Sequence, residues 1–159
     1  MPSARVAWRP MVADDLAYVA ALEAQIHAAP WTLGNFRDAL AAGYATRVAE
    51  REGRIVAYGA LMLGAGEAQI LNISVVPDAR RQGFGRELLQ QFLGDARELG
   101  AEQCFLEVRV SNTAAILLYE GAGFARVARR SAYYPSIAPD VPREDALVMR
   151  RALASPHAV

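Results

Sequence analysis

The sequence predicts an α/β fold of the α+β kind, a mixed sheet with helices on its faces. Three observations predict it. Residues 68–76 and 104–108 both read as strands, and the segment between them holds an amphipathic helix; a helical crossover makes two such strands parallel. Residues 46–50 and 54–63 flank Glu52 and Gly53 and read as an antiparallel hairpin. Late in the chain, 124–134 and 146–150 give two further strand-like runs.

The elements follow in order. Val6, Ala7 and Trp8 form a short strand that ends at Pro10. Asp14 or Asp15 caps a helix carrying Leu16, Val19, Ala20 and Ile26 on an apolar stripe. Ala28, Ala29, Pro30 and Trp31 break it, and Thr32 caps a second helix through Phe36 and Leu40 that ends at Gly43. The hairpin comes next, then a turn at Gly64, Ala65 and Gly66, then strand 68–76 and a turn at Pro77 and Asp78. The central helix spans 85–99, with Leu88, Leu89, Phe92, Leu93, Ala96 and Leu99 at helical spacing and Gly100 as its stop. After strand 104–108, Ser111 or Asn112 caps a helix over 114–119 that ends at Gly121 and Gly123. The loop 135–145, rich in proline and acid, joins the last two strands. One domain is expected over 1–153, with a frayed tail at 154–159.

Composition narrows the function. Acidic and basic residues balance at 17 each, which argues against a broad nucleic-acid-binding field. Every basic residue is arginine, so a lysine Schiff base and a phosphate-binding lysine are both excluded. The single cysteine, Cys104, has no partner for an internal disulfide and sits in an apolar strand, where a buried inert thiol is expected. No apolar run reaches the ~18 residues of a membrane span, and the first residues lack a signal-peptide core. A soluble cytoplasmic protein is expected, with no membrane or nucleic-acid partner.

The chemistry concentrates at Arg80-Arg81-Gln82-Gly83-Phe84-Gly85-Arg86. Gly83 and Gly85 let the backbone approach a ligand, and the run opens a helix, where free N–H groups and the dipole favour an anion. Arg80, Arg81 and Arg86 add charge that suits a pyrophosphate. The same residues also suit a plain strand-to-helix turn with solvated arginines. A dinucleotide fingerprint would place glycine at position 88, which is Leu88, and a P-loop would need the absent lysine.

The run Arg80–Gly85 resembles the acetyl-CoA signature of the GCN5-related N-acetyltransferases. Within that family, the ribosomal-protein alanine N-acetyltransferases resemble this chain most fully. The shared residues are Asn72-Ile73-Ser74-Val75, Leu106-Glu107-Val108-Arg109, Ser111-Asn112, Leu118-Tyr119-Glu120, Gly123-Phe124, Tyr133-Tyr134-Pro135 and Glu144-Asp145-Ala146, with Pro30-Trp31 earlier. The resemblance covers about residues 71–149 in order and spacing. It implies a mixed sheet of six or seven strands with about four helices, its central parallel strands splayed around the pantetheine arm of acetyl-CoA. No metal is implied.

Roles follow residue by residue from the resemblance. An α-amine has a pKa of ~7.7–8.0 and must lose a proton before it attacks a thioester. Glu107 is then the general base; on the residues alone, an ion pair with Arg109 or another arginine serves equally. Tyr119 is the general acid that protonates the leaving thiolate, or else a core aromatic beside Ile116 and Leu117. Ile73, Ser74 and Val75 would contact the cofactor through a bulged strand, with Ser74 where the relatives usually have alanine. Arg81, Gln82, Gly83, Phe84, Gly85 and Arg86 would hold the diphosphate. Asn112 would both cap its helix and touch the cofactor. The acceptor implied is the N-terminal alanine of a small-subunit ribosomal protein, on a basic peptide that Asp140, Glu144 and Asp145 could meet and Trp31, Tyr133 and Tyr134 could wall. Other protein N-termini, a small amine, or a non-catalytic acyl-CoA-binding module are the competing readings.

Overall fold

The structure is a computed structural model and describes residues 5–153; the expected frayed tail at 154–159 lies outside the described residues. The chain runs β1 (Ala7–Arg9), a 3-10 turn (Ala13–Asp15), α1 (Leu16–Ile26), α2 (Leu33–Ala41), β2 (Ala45–Arg51), β3 (Arg54–Gly64) and β4 (Glu67–Val75). A second 3-10 turn (Pro77–Ala79) leads to α3 (Phe84–Glu98), β5 (Gln103–Arg109), α4 (Thr113–Gly121), β6 (Ala125–Tyr134) and β7 (Glu144–Ala152). The seven strands form one sheet in the order β1-β2-β3-β4-β5-β7-β6. β4 and β5 are parallel, in register from Glu67 opposite Gln103 to Ile70 opposite Leu106, the first four residues of each strand. The pairs β1–β2, β2–β3, β5–β7 and β6–β7 are antiparallel. The expected mixed sheet with four helices is therefore present.

Turn chemistry explains the hairpins. Glu52 and Gly53 have φ of 54° and 76°, and Ala65 and Gly66 have φ of 53° and 78°. Two successive left-handed residues make the tight turn whose twist suits a hairpin. Thr32 caps α2 as expected: its Oγ1 accepts the Asn35 N–H at 3.1 Å, while Asn35 Oδ1 accepts the Thr32 N–H at 2.9 Å. Asp15 is different. Its carboxylate accepts the Val12 N–H at 2.8 Å and both terminal nitrogens of Arg9 at 2.7 Å, and it makes no cap bond to α1. It stands at the N-cap position of α1, but the 3-10 turn gives it helical rather than extended backbone angles, φ −80° and ψ −20°.

The described chain forms two compact units that interleave in sequence. One comprises residues through Met62 together with Asn72–Phe92; the other comprises Leu63–Leu71 and residues from Leu93 onward. In the first, Met11, Leu16, Val19, Phe36, Val48, Ile55 and Tyr58 form a core. Trp31 meets Phe36 edge-on at 5.1 Å, and Phe36 meets Tyr58 at 6.1 Å. Gly59 lies so close to β4 that a Cβ there would stand 2.5 Å from the Asn72 carbonyl oxygen. On α3, Leu88, Leu89, Phe92, Leu93 and Ala96 are fully buried, whereas Leu99, one residue past its end, is 67% exposed. Leu117, expected inside beside Ile116, is 64% exposed; α4 buries Ile116 and Tyr119 instead. Among the described residues, no helix is long and apolar enough to cross a membrane, and no cluster of His, Cys, Asp and Glu could hold a metal.

Candidate functional site

The turn between β4 and α3 has the backbone of an anion cradle. Arg81 and Gly83 both have left-handed φ, 64° and 86°. A non-glycine residue at such an angle costs energy and is kept only where its surroundings hold it. Those surroundings are visible. Arg80 Nε donates to the Val75 carbonyl at 3.3 Å, and Gln82 Oε1 accepts from Arg51 Nη1 at 2.7 Å. The Arg51 guanidinium also stacks on Phe84, 5.6 Å from its centroid, and Phe84 is buried against Ala49, Val56, Ala57 and Ala79. Phe84 thus anchors the first turn of α3. The side chains of Arg80, Arg81 and Arg86 are exposed, and nothing lies within 4 Å of a Cβ built on Gly83. The turn places three exposed arginines and open space at Gly83 beside a helix N-terminus, a chemistry that suits an anion such as a diphosphate. Gln82, expected at the ligand, is tied back to Arg51.

On β4, Ser74 belongs to a network that the sequence did not reveal. Ser74 Oγ donates to Asn72 Oδ1 at 2.7 Å, so its oxygen accepts from His27 Nε2, also at 2.7 Å. Asn72 Nδ2 donates to Glu23 Oε1 at 3.1 Å, and the Tyr58 hydroxyl donates to the same oxygen at 2.7 Å. The Trp31 N–H donates to Glu23 Oε2 at 3.0 Å. Glu23 is only 2% exposed. A carboxylate this buried requires several donors, and it has them. Burial first, and then Glu23, pushes the Tyr58 phenol well above its usual range. The network joins α1, the Trp31 segment, β3 and β4. The one available signal was a Glu on the apolar stripe of α1, since Glu23 lies four residues after Val19.

In the second unit, Glu107 on β5 is an ion pair with Arg130, at 2.8 Å. The expected partner Arg109 is taken elsewhere: it pairs with Glu144 at 3.3 Å and stacks over Tyr134, 4.3 Å from the ring centroid. A hydrogen bond to Glu107 is the main cause raising the Tyr133 phenol pKa. Tyr134 is pushed up to about 12, chiefly by burial and then by the Glu107 charge. Tyr119 is 8% exposed and meets Phe124 edge-on at 6.0 Å. Burial, with a smaller contribution from Tyr134, pushes its hydroxyl up to about 12, so it holds its proton at neutral pH. Glu107, Tyr134 and Tyr119 are thus electrostatic neighbours in turn. Cys104 is fully buried, with its thiol pushed up to about 12 by desolvation, as an inert core residue would be.

The remaining expected residues divide. Asn112 caps α4, its Oδ1 accepting the Ala115 N–H at 3.2 Å. Glu144 and Asp145 are not loop acids but open β7. Glu144 accepts the Ser111 N–H at 2.7 Å besides Arg109. Asp145 accepts the Ala132 N–H at 2.8 Å and Arg129 Nε at 2.6 Å. Ser111 foremost lowers the Glu144 pKa, and the Ala132 N–H foremost lowers that of Asp145. Both carboxylates serve the fold at these positions; of the three acids, Asp140 alone stays in the connecting loop.

Known proteins share the sequence pattern and the fold. The model of the Acetyltransferase (GNAT) family matches residues 12–124. The ribosomal protein bS18-alanine N-acetyltransferase of Escherichia coli (strain K12) is 37% identical over 128 residues, covering 80% of this chain and 84% of that protein. The protein of that name from Haemophilus ducreyi is 31% identical over 139 residues, covering 87% and 94%. The crystal structure of the ribosomal-protein-S18-alanine N-acetyltransferase from Escherichia coli superposes with a TM-score of 0.85 at 32% identity, over 98% of this chain and 99% of that one.

Proposed function

The chain belongs to the acetyltransferase (GNAT) family, and from that premise we propose that it acetylates the N-terminal alanine of ribosomal protein bS18, using acetyl-CoA. The observation that carries the reading is the surroundings of Glu107. This carboxylate lies among Arg130, Tyr133 and Tyr134, and a protonated Tyr119 neighbours Tyr134. A base and an acid of this kind are what amine acetylation needs and what binding alone does not.

The residues divide the work. Arg81, Gly83, Phe84, Gly85 and Arg86 form the cradle for the diphosphate, with Gln82 bracing it through Arg51. Ile73, Ser74 and Val75 on β4 offer backbone groups to the pantetheine arm and the thioester carbonyl, and Asn112 completes the cofactor set. Acetyl-CoA, when bound, supplies the activated acyl carbon. Glu107 takes a proton from the acceptor's ammonium, leaving the amine lone pair free to form the new C–N bond; the nitrogen then sheds a second proton, which restores the one Tyr119 gives up. Tyr119 gives its proton to the sulfur as the C–S bond breaks. No metal takes part. The acceptor is a protein N-terminus, flanked by Tyr133 and Tyr134.

A panel of N-terminal peptides, incubated with acetyl-CoA and read by mass spectrometry, tests this. Acetylation of the α-amine of an alanine-initiated, arginine-bearing peptide is the expected result. Transfer only to small amines, or to none of the panel, would replace the proposed acceptor.

A further inference from the structure

β6 does not run straight to its end. Between Arg130 opposite Ala146 and Tyr134 opposite Glu144, it advances four residues while β7 advances two. The extra length is a bulge centred on Ala132, whose φ is 48°. An alanine in the left-handed region must be held there. The Ala132 N–H donates to Asp145 Oδ1 at 2.8 Å, and its carbonyl accepts from Arg143 Nε at 3.0 Å. Arg143 Nη2 also donates to the Tyr133 carbonyl, at 3.3 Å. Bulges re-aim side chains. Here the bulge turns Tyr133 back over Arg130, placing the guanidinium carbon 4.4 Å from the ring centroid, while the Tyr133 hydroxyl meets Glu107. Arg130 Nη1 reaches Glu107 Oε1 at 2.8 Å.

A cation therefore sits on Glu107 with the Tyr133 ring, which follows the bulge, stacked against its guanidinium. We propose that Arg130 is a specificity-determining counter-ion, which holds the place on Glu107 that the acceptor's N-terminal ammonium takes and is displaced when the acceptor binds. The proposal rests on Glu107 being the general base. The Arg130 side chain is 53% exposed and Glu107 only 17%, so the arginine can swing into solvent while the carboxylate stays. A guanidinium is always charged and cannot act as a proton acceptor. While Arg130 sits on Glu107 it neutralises the half-buried carboxylate and occupies Oε1, an oxygen that an incoming amine would need. A cationic N-terminus replaces one ion pair by another and loses little. A neutral acceptor would leave Glu107 without its cation and is disfavoured. The bound amine then passes its proton to Glu107, and Arg130 returns when the acetylated, uncharged product leaves.

Steady-state kinetics on the full chain test this with Arg130→Ala, Arg130→Lys and Glu107→Gln. An exposed ion pair that must be broken weakens acceptor binding by about two- to fivefold. In Arg130→Ala, the KM for an alanine-initiated peptide should fall by that factor, with kcat and the KM for acetyl-CoA unchanged. Arg130→Lys should restore the wild-type KM. Guanidinium chloride at low millimolar concentration should compete with the peptide in Arg130→Ala more strongly than in the wild type. A peptide KM that is unchanged or raised in Arg130→Ala, while Glu107→Gln is slow, overturns the counter-ion role alone. Wild-type turnover in Glu107→Gln overturns the base and the counter-ion together.

Discussion

At the scale of single residues, Glu107 and Tyr119 carry opposite proton duties, and their surroundings suit each. Positioned general acids and bases contribute about 10²- to 10⁴-fold to a rate. Glu107→Gln should lower kcat within that range and leave acetyl-CoA affinity unchanged, since the diphosphate cradle lies on other residues. Tyr119→Phe should do likewise, with far-ultraviolet circular dichroism unchanged because the ring still packs against Phe124. Wild-type kcat in either variant removes that residue from the reaction. The Tyr119 proton also sets the alkaline behaviour. A hydroxyl pushed up to about 12 stays protonated through pH 10. At saturating peptide, kcat should rise as the acceptor α-amine deprotonates near pH ~8 and then hold level, while the peptide KM rises because a neutral amine leaves Glu107 without its cation; a fall in kcat centred near pH 9 would show that another acid is used. Glu107 and Tyr119 were singled out by the family resemblance; on the residues alone, an ion pair with an arginine and a core aromatic accounted for them. Arg130 and Glu23 were not singled out, because an arginine on an edge strand and a glutamate on a surface helix are ordinary until their partners are seen.

At the scale of elements, local chemistry predicted strand pairs and most turns well and side-chain partners poorly. The glycines at 43, 53, 66, 100 and 123 all adopt positive φ where the sequence placed turns or helix ends. Thr32 caps α2 for the expected reason. Asp15 shows the limit: its type suits a cap, but Arg9 lies on β1 and competes for the same carboxylate, and that competition depends on where β1 folds back. The ion pair has a consequence for stability. Arg9 and the Val12 N–H lower the Asp15 pKa below its usual 3.8, with Arg9 the larger cause. A carboxyl so depressed stabilises the fold above its unfolded pKa, and that contribution is lost as pH falls through the folded value. Asp15→Asn should therefore lower stability at pH 7 by about 1–2 kcal/mol, since charged hydrogen bonds are worth somewhat more than this and Arg9 is partly exposed. The gap to wild type, followed by urea unfolding, should close below pH ~4. A gap that stays constant from pH 7 to pH 3 would assign the loss to packing. The β6 bulge was illegible for a related reason: Ser131 and Ala132 carry no glycine signal, and the residues that hold the bend, Arg143 and Asp145, come eleven and thirteen positions later.

At the scale of the whole molecule, the helical crossover between β4 and β5 was enough to make a mixed sheet the expected answer, because it admits parallel pairing and the flanking hairpins do not. What the pattern could not give was sheet order beyond that pair: β7 inserts between β5 and β6, a long-range choice that no local periodicity encodes. The turn before α3 sits at the end of the strand that enters this crossover, and its left-handed Arg81 carries a backbone cost that Gly83 does not. A ligand that binds only the folded chain stabilises it by mass action, about 2.7 kcal/mol at a hundredfold excess over Kd. For a chain of this size that corresponds to a rise in Tm of about 5–10 °C. Acetyl-CoA should give that rise, and pantetheine, which lacks the diphosphate, should give much less at equal concentration. Gly83→Val, which forces a β-branched residue into a left-handed turn, should reduce the acetyl-CoA shift more than it reduces Tm without ligand, because the ligand needs the open cradle in addition to the fold. If pantetheine alone reproduced the full shift, or Gly83→Val left it intact, the diphosphate would be held elsewhere and the turn would be only the corner that starts α3.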